Sequence, residues 1–533
     1  MQELQAKIQT IVKDLFGEEV EIELTRPEEQ FGDYSTNVAM QLAGEAKNNP
    51  REVAIHLASE LKKNGIDCEV AGPGFINIKL SDEQLAKLFN SSLDLPKPLE
   101  GQEILVEFGD PNPFKEMHIG HLYSYIVGDS ISKLFESAGA DVKRLSYHGD
   151  VGLHVAKAVW GMKNSGGTDD IGKSYALGAK AYQEDPAAKA EIDEINEQIY
   201  AKSNPEINKL YDEGKKKSFE DFDETLELLQ IKTDRRYLES ETAGIGKKYV
   251  EENVGKVFEE SDGAIVFKGE KVGLHTRVFL TSQKLPTYES KDLGLAELKG
   301  KDYPNAKRSI VITANEQAEY FKVMLAALSE ISPELAQMTT HITHGFLSLT
   351  TGKMSSRTGE VYPAMKLLLE TKDEVHEQYK DSPVKKPVTL GAVKYTFLKH
   401  GLGADIVVDV KESIGLEGNS GPYLQYAHAR ASSILGKAES KQLTFDNFEP
   451  GERSLARKVS EYPEVIAKAI DELMPHHICT YLYELAQTFN RFYEDNRVIG
   501  DDRESERLSM VNKYAQVLEH GLGLLNIEAP EKM

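Results

Sequence analysis

The sequence predicts three regions: a small α+β region, an α/β nucleotide-binding domain of the doubly wound, Rossmann-like class, and an all-α region that runs to residue 533. Three observations carry this reading. The first is the stretch from Glu103, where EILVEF reads as a strand, Pro111 and Pro113 break it, a long helix begins near His118, and VKRLSYHGDVG reads as the next strand and its turn. Strand, turn, helix, strand is the βαβ logic of a parallel sheet. The second is RSIVITAN, a buried-looking strand with polar residues at its C-terminal edge, where ligands collect in such sheets. The third is the recurrence of apolar and aromatic residues at helical spacing through YLQYAHARASSIL and ICTYLYELAQTFNRFYED.

In order along the chain, residues 1–93 form the first region. Leu4, Ile8, Ile11 and Leu15 mark an amphipathic helix, Pro50 to Lys63 another, and Phe75, Ile76 and Ile78 a short strand after a Gly-Pro-Gly turn. SSLDLPKPLEG reads as the linker to a central domain over 101–375. Within it, a polar, charge-rich stretch at about 165–250 reads as a helical insertion apart from the catalytic machinery. Residues 376–533 are the helical region. A length of 533 residues fits about three or four domains.

Composition narrows the function classes. The formal net charge of −24 argues against a protein-wide basic footprint for nucleic acid, and leaves room for a local basic or aromatic face. Two cysteines, Cys68 and Cys479, make neither a disulfide framework nor a four-ligand zinc site, so no structural metal is expected. The start lacks the basic and apolar segments of a secretory signal, and no apolar run is long enough for a membrane span. The expectation is a cytoplasmic protein with no membrane partner.

Three constellations carry chemistry. His118 and His121 stand three apart at the start of a helix and so share one face, with Gly120 between them allowing close approach of a ligand to the backbone. A helix N-terminus favours phosphate, and two imidazoles there, neutral or protonated, suit charge developing at a phosphorus. Two capping or surface histidines also satisfy this spacing. Tyr288 and Asp292 stand four apart in LPTYESKDLGLA, so a helix would present a carboxylate and a rigid aromatic wall together, a pairing suited to a guanidinium. A packed tyrosine beside a surface aspartate fits as well. GKMSSRTGE combines Lys353 and Arg357 with serines and bordering glycines, a composition able to close over a triphosphate or simply to form an exposed basic loop.

These segments share a further property. DPNPFKEMHIGHL resembles the HIGH signature of class I aminoacyl-tRNA synthetases, and the preceding VEFGDPNP resembles the arginyl branch specifically. PTYESKD, GKMSSRTGE, SIGLEGNSGPYLQYAHARASSIL and the N-terminal FGDYSTNVAM and GPGFINIKL are similar to that family too, and together they span nearly the whole chain. The resemblance implies a HIGH-type Rossmann catalytic domain, an N-terminal domain that meets the tRNA elbow, and a helical anticodon-binding domain. It implies activation of L-arginine by ATP with Mg2+ and transfer to tRNA(Arg), by a monomer, with no DNA partner.

Roles follow residue by residue. Catalysis falls on His118, His121, Lys353 and Lys115. Arginine binding falls on Glu107, Asn112, Tyr288, Asp292 and Gln317. ATP binding falls on His118, Gly120, His121, His344, Gly345, Lys353, Met354 and Arg357. Base stacking and reading fall on Phe75 and Asn77 in the first region and on Tyr423, Tyr426, His428, Arg430, Asn490, Arg491 and Tyr493 in the last. Two departures from the family pattern stand out: Gly109 and Asp110 occupy the place of a pair of small polar residues, and Ser356 and Thr358 the places of lysines. A class I synthetase for another amino acid, a non-catalytic tRNA-binding paralogue and a nucleotidyltransferase without RNA specificity are the competing readings. PTYESKD and GPYLQYAHAR weigh against the first, the retained His118, His121 and Lys353 against the second, and the C-terminal half against the third.

Overall fold

The structure is a computed structural model that describes residues 2–46, 49–165, 167, 170–350, 362–380, 382–437 and 447–533. It divides into two compact units, each assembled from separated stretches of chain.

The larger unit holds residues 95–430, 465–483 and 518–533. Its centre is a five-stranded sheet, all parallel, in the spatial order Thr339–His344, Arg308–Ala314, Glu103–Glu107, Asp141–His148, Arg235–Leu238. Numbered along the chain this is 3-2-1-4-5 read from the Arg235 edge, the order of a doubly wound fold. The order reverses between Glu103–Glu107 and Arg308–Ala314, so a crevice opens beyond their C-terminal ends. Ile104, Leu105, Val106, Ile310, Val311 and Ile312 are all buried, as strands covered on both faces require. The helix Ile119–Ser137 crosses from the first strand to the second and is buried along most of its length. Gly128 permits this packing, because a Cβ there would lie 2.1 Å from the Phe108 ring.

One reading of the sequence needs correction. The stretch at 165–250 is helical over Ile171–Glu184, Pro186–Ala201 and Pro205–Leu229, but it then returns to the sheet as Arg235–Leu238. Arg235 and Arg236 disguise that strand, whose inward anchor is the buried Tyr237. A small antiparallel sheet, Glu259–Ser261, Ala264–Phe267 and Arg277–Leu280, follows and leads into the helix Tyr288–Asp302. Residues 518–533 are tied into the same unit through their carbonyls. Leu524 O accepts from Ser130 Oγ at 3.0 Å, and Asn526 O accepts from the buried Lys394 Nζ at 2.7 Å.

The smaller unit holds residues 1–94, 431–464 and 484–517. Its antiparallel sheet, ordered Tyr34–Thr36, Phe75–Lys79, Asp67–Ala71, packs Ile76 and Ile78 against Ile8, Val12, Leu57 and Leu61 from the helices Gln2–Phe16 and Pro50–Lys63. The conspicuous FGDY segment serves this unit's assembly. The buried Asp33 accepts from Arg453 Nη2 at 2.8 Å and from Leu80 N at 2.8 Å, and Tyr34 Oη and Arg26 both donate to Glu464, at 2.7 and 2.8 Å.

Candidate active site

The crevice at the sheet's reversal point holds a cavity of about 430 Å3. Its wall includes Glu107, Asn112, Tyr288, Asp292 and Gln317, the five residues singled out for arginine, together with Asp110, Tyr147, Glu239, Arg277, Glu289 and Glu316. They arrive from several elements. Glu107 ends the first strand. Tyr288 and Asp292 stand one turn apart on the helix Tyr288–Asp302, as their spacing predicts. Gln317 follows the fourth strand.

The turn between Phe108 and Lys115 is locked in place by the second strand. Tyr147 N donates to Asp110 Oδ1 at 2.7 Å, and Gly149 N donates to Asn112 Oδ1 at 2.8 Å. His148 Nδ1 lies 2.6 Å from Pro111 O. The contact to a carbonyl makes that nitrogen the donor. Gly109 is required here on two counts: its φ is +91°, and a Cβ would lie 2.3 Å from the Tyr125 ring. Asp110 adopts a left-handed conformation as well, at φ +52°.

The cavity wall carries six carboxylates and one guanidinium, a lining suited to a cationic ligand. Three of the carboxylates already have cations. Glu107 Oε2 pairs with Lys299 Nζ at 3.0 Å, both buried; Glu239 pairs with Lys291; and Glu289 pairs with Arg277 at 3.2 Å. Burial, reinforced by Glu107, holds the carboxyls of Asp110 and Asp292 well above the usual carboxylate range.

Asn112 also lines an adjoining cavity of about 420 Å3 with Lys115, Glu116, His118, His121, Gly172 and Tyr175. Gly172 and Tyr175 come from the helix Ile171–Glu184, inside the stretch read as apart from the machinery. Lys115 Nζ sits 5.2 Å above the Tyr175 ring. No motif marks these residues; only the packing of that helix brings them here.

The two histidines form the helix cap. His118 Nδ1 accepts from Gly120 N at 3.1 Å, and His121 Nδ1 accepts from His118 N at 3.2 Å. The rings stack at 3.7 Å. A nitrogen that accepts from a peptide N–H carries no proton, so each neutral ring presents Nε2–H as its donor. Burial, with Lys115 and His344 nearby, pushes His118 down to about 4, and burial together with His118 itself holds His121 well below the usual imidazole range. Of the two protonation states left open by spacing, the neutral one holds. Gly120 has a packing role here: a Cβ there would lie 3.0 Å from His118 Cε1, so the glycine makes room for the first histidine's own ring. Residues after 361 come back to this point, with Ile119 N donating to Tyr362 O at 3.0 Å and Ala364 N to Met117 O at 2.9 Å.

Other candidates land elsewhere. His344 is buried, its Nδ1 2.9 Å from Gly345 O and its ring against Tyr123, so its side chain is committed internally and lines neither cavity. A Cβ on Gly345 would lie 2.0 Å from Ala404 O, which gives that glycine a packing reason. Lys353, Met354, Ser356, Arg357 and Thr358 lie outside the described residues.

The nucleic-acid candidates fall in both units. In the smaller, Phe75 is 41% exposed, Asn77 is half-buried opposite Ser35, Arg491 is exposed, and Tyr493 and Asn490 are half-buried, Tyr493 against Phe489. In the larger, Tyr426 and Arg430 are exposed one turn apart on the helix Gly421–Leu435, and Tyr423 is half-buried against Tyr483. His428 corrects the expectation of a surface contact. It is buried, with Nδ1 3.0 Å from Pro530 O, because it lies on the inner face of that helix.

Comparison with known proteins agrees with this geometry. Residues 2–80 match the family model for the arginyl tRNA synthetase N terminal domain, residues 84–410 that for the catalytic domain of class I (R) tRNA synthetases, and residues 424–533 that for the DALR anticodon binding domain. The arginine–tRNA ligase of Treponema denticola is 29% identical over 569 residues, covering 97% of this chain and 96% of the relative. That of Phocaeicola vulgatus is 26% identical over 603 residues, covering 100% and 99%. The solved arginyl-tRNA synthetase of Thermus thermophilus superposes with a TM-score of 0.85 at 26% identity over the full length of both chains. The Plasmodium falciparum enzyme, at 20% identity and a TM-score of 0.83 over 100% of this chain and 99% of its own, shares the fold. With a catalytic-domain match over more than half its length, on a sheet whose reversal point gathers the HIGH histidines and the acidic pocket, the chain belongs to the arginyl-tRNA synthetase family of class I.

Proposed function

We propose that the two adjoining cavities divide the work of an arginine–tRNA ligase, the acidic one holding the amino acid and the histidine-lined one the triphosphate. The chain activates L-arginine with ATP to arginyl-adenylate and transfers the arginyl group to tRNA(Arg), releasing AMP and diphosphate. The observation that carries the division is Asn112, which lines both cavities and so marks where the two substrates meet.

In the first step an α-carboxylate oxygen of arginine attacks the α-phosphorus of ATP and diphosphate leaves. Asp292 and Tyr288 take the guanidinium, with Glu107 and its Lys299 partner as the pocket floor. The Nε2–H groups of His118 and His121 donate to phosphate oxygens, which become more negative in the transition state. Neutral donors fixed by a helix cap need no reorganisation during the step. Lys115 adds positive charge from the side of the Ile171–Glu184 helix, and Lys353 and Arg357 neutralise the departing diphosphate. In the second step a hydroxyl of the terminal adenosine of tRNA attacks the activated carbonyl and AMP leaves. Positioning and charge stabilisation supply most of the rate.

Mg2+ comes with the nucleotide; among the described residues no group of three or more His, Cys, Asp or Glu side chains is arranged to hold a metal. Phe75 and Asn77 meet the tRNA elbow, and Tyr426, Arg430 and Arg491 lead the anticodon contacts because they are the exposed members of their set. The enzyme works as a monomer in the cytoplasm. The direct test is charging of tRNA from the source organism with each amino acid, run beside ATP–diphosphate exchange with and without tRNA. Arginine-specific charging is expected; charging with a different amino acid, or none with intact tRNA and Mg2+, overturns the reading.

A further inference from the structure

Lys115 is a cation without a carboxylate. It lines the histidine cavity beside Glu116, yet makes no ion pair with Glu116 or any other carboxylate among the described residues. Partial burial and the neighbouring Lys157 both hold its ammonium below the usual lysine value. What faces the ammonium is the Tyr175 ring, whose centre lies 5.2 Å from Nζ, within the range of a cation–π contact. A ring face stabilises an ammonium without cancelling its charge. A carboxylate in the same place would leave little field for an incoming anion.

Both halves of this contact are held in place by the helical insertion. The helix Ile171–Glu184, which carries Tyr175, touches the helix Leu153–Ser165 backbone to backbone. A Cβ on Gly178 would lie 1.9 Å from Lys157 O, and one on Gly161 would lie 1.9 Å from Ser174 O. The ring itself packs on a core that includes Phe114, Val155 and Ile171. The chain next to Lys115 is fastened to a further insertion helix, Pro205–Leu229, where Ser218 Oγ accepts from Phe114 N at 2.9 Å. We propose that Tyr175 is a positioning residue for arginine activation, its ring face holding the Lys115 ammonium at the histidine cavity for the phosphates of ATP. The inference rests on the reading of that cavity as the triphosphate site. It gives the helical insertion a part in the chemistry, through a residue that touches neither reacting group.

A residue that acts through another is tested by a double-mutant cycle. ATP–diphosphate exchange with tRNA present is measured for wild type, Tyr175→Leu, Tyr175→Phe, Lys115→Ala and the double variant Tyr175→Leu with Lys115→Ala. Tyr175→Leu is expected to lower kcat/KM for ATP roughly fivefold or more, with KM for arginine within about twofold of wild type. Tyr175→Phe keeps the ring face and should recover most of that loss. In the Lys115→Ala background, Tyr175→Leu should change the rate by less than about twofold, which a role in packing alone would not give. The proposal is overturned if Tyr175→Leu matches wild type, if Tyr175→Phe is as slow as Tyr175→Leu, or if Tyr175→Leu costs as much without Lys115 as with it. Should Tyr175→Leu not fold by thermal melt, Tyr175→trifluorophenylalanine keeps the ring, weakens its face and carries the same comparison with the same outcomes. Failure of wild type to exchange or to charge arginine would instead sink the functional reading, and is seen before any variant is made.

Discussion

At the scale of single residues, the site runs on carboxylates that are held out of their ordinary range and on imidazoles that are held neutral. Asp110 faces Glu107 and, further off, Lys299; Asp292 faces Glu107, Glu239, Glu289 and Lys299, with Tyr147 beside it. Their raised pKa means that the free site takes up protons at a higher pH than ordinary carboxylates do, and a bound cation opposes this. The sign follows: arginine binds the ionised carboxylates, so affinity falls as pH falls through their raised values. KM for arginine is expected to rise as pH is lowered, and the slope to flatten in Asp292→Asn. A KM independent of pH, with saturating ATP, would show that neither carboxylate meets substrate. His118 acts oppositely. Its pKa of about 4 leaves it neutral throughout, so kcat should show no inflection near 6.5 that disappears in a His118→Asn variant.

At the scale of elements, the turn at residues 109–112 and the start of the Ile119–Ser137 helix are where backbone rules and function meet. Gly120 offers a clean separation. Replacing it by Ala improves helix propensity by roughly 0.5–1 kcal/mol, yet the new Cβ meets His118 Cε1 at 3.0 Å and pushes the ring aside. Gly120→Ala is expected to keep or raise the melting temperature while lowering kcat at least about tenfold. A variant with full kcat would show that the ring has slack. The helix, its histidines and the βαβ logic were legible in the sequence because strand and helix periods and a proline-broken turn are local signals. Glu239, Arg277 and Tyr175 were not. They carry no motif, and their places depend on the short strands Arg235–Leu238 and Arg277–Leu280 and on helix packing. The Glu107–Lys299 pair was hidden for a similar reason, since it joins residues 192 positions apart. His428 shows the limit of an aromatic-rich stripe: spacing places it on the helix, and only the tertiary partner Pro530 shows that it faces inward.

At the scale of the whole molecule, stability in the smaller unit leans on buried ion pairs that join its separated stretches. Asp33 is the centre of one. Burial alone would raise its pKa, but bonds from Arg453 and the Leu80 N–H outweigh this and hold it below the usual value. A lowered carboxylate stabilises above its unfolded pKa and loses that contribution as pH falls through the folded value, so the effect fades in the window below about pH 4. Arg453→Ala strands this carboxylate and is expected to cost about 3 kcal/mol in urea unfolding of the smaller unit, whereas Asp33→Asn together with Arg453→Ala should recover part of the loss. Equal loss in the single and double variants would mean that the pair does not couple.

The interleaving of the two units has a consequence for how the chain is made. A nascent polypeptide leaves the ribosome with its N-terminal side first, but the smaller unit needs residues up to 517 and the larger needs the stretch 518–533, whose Leu524 and Asn526 carbonyls receive Ser130 and Lys394. Neither unit can finish while the other is still being synthesised. Both units therefore stay incomplete until the last stretches are made, and that waiting time is when a chaperone or a protease has its opportunity.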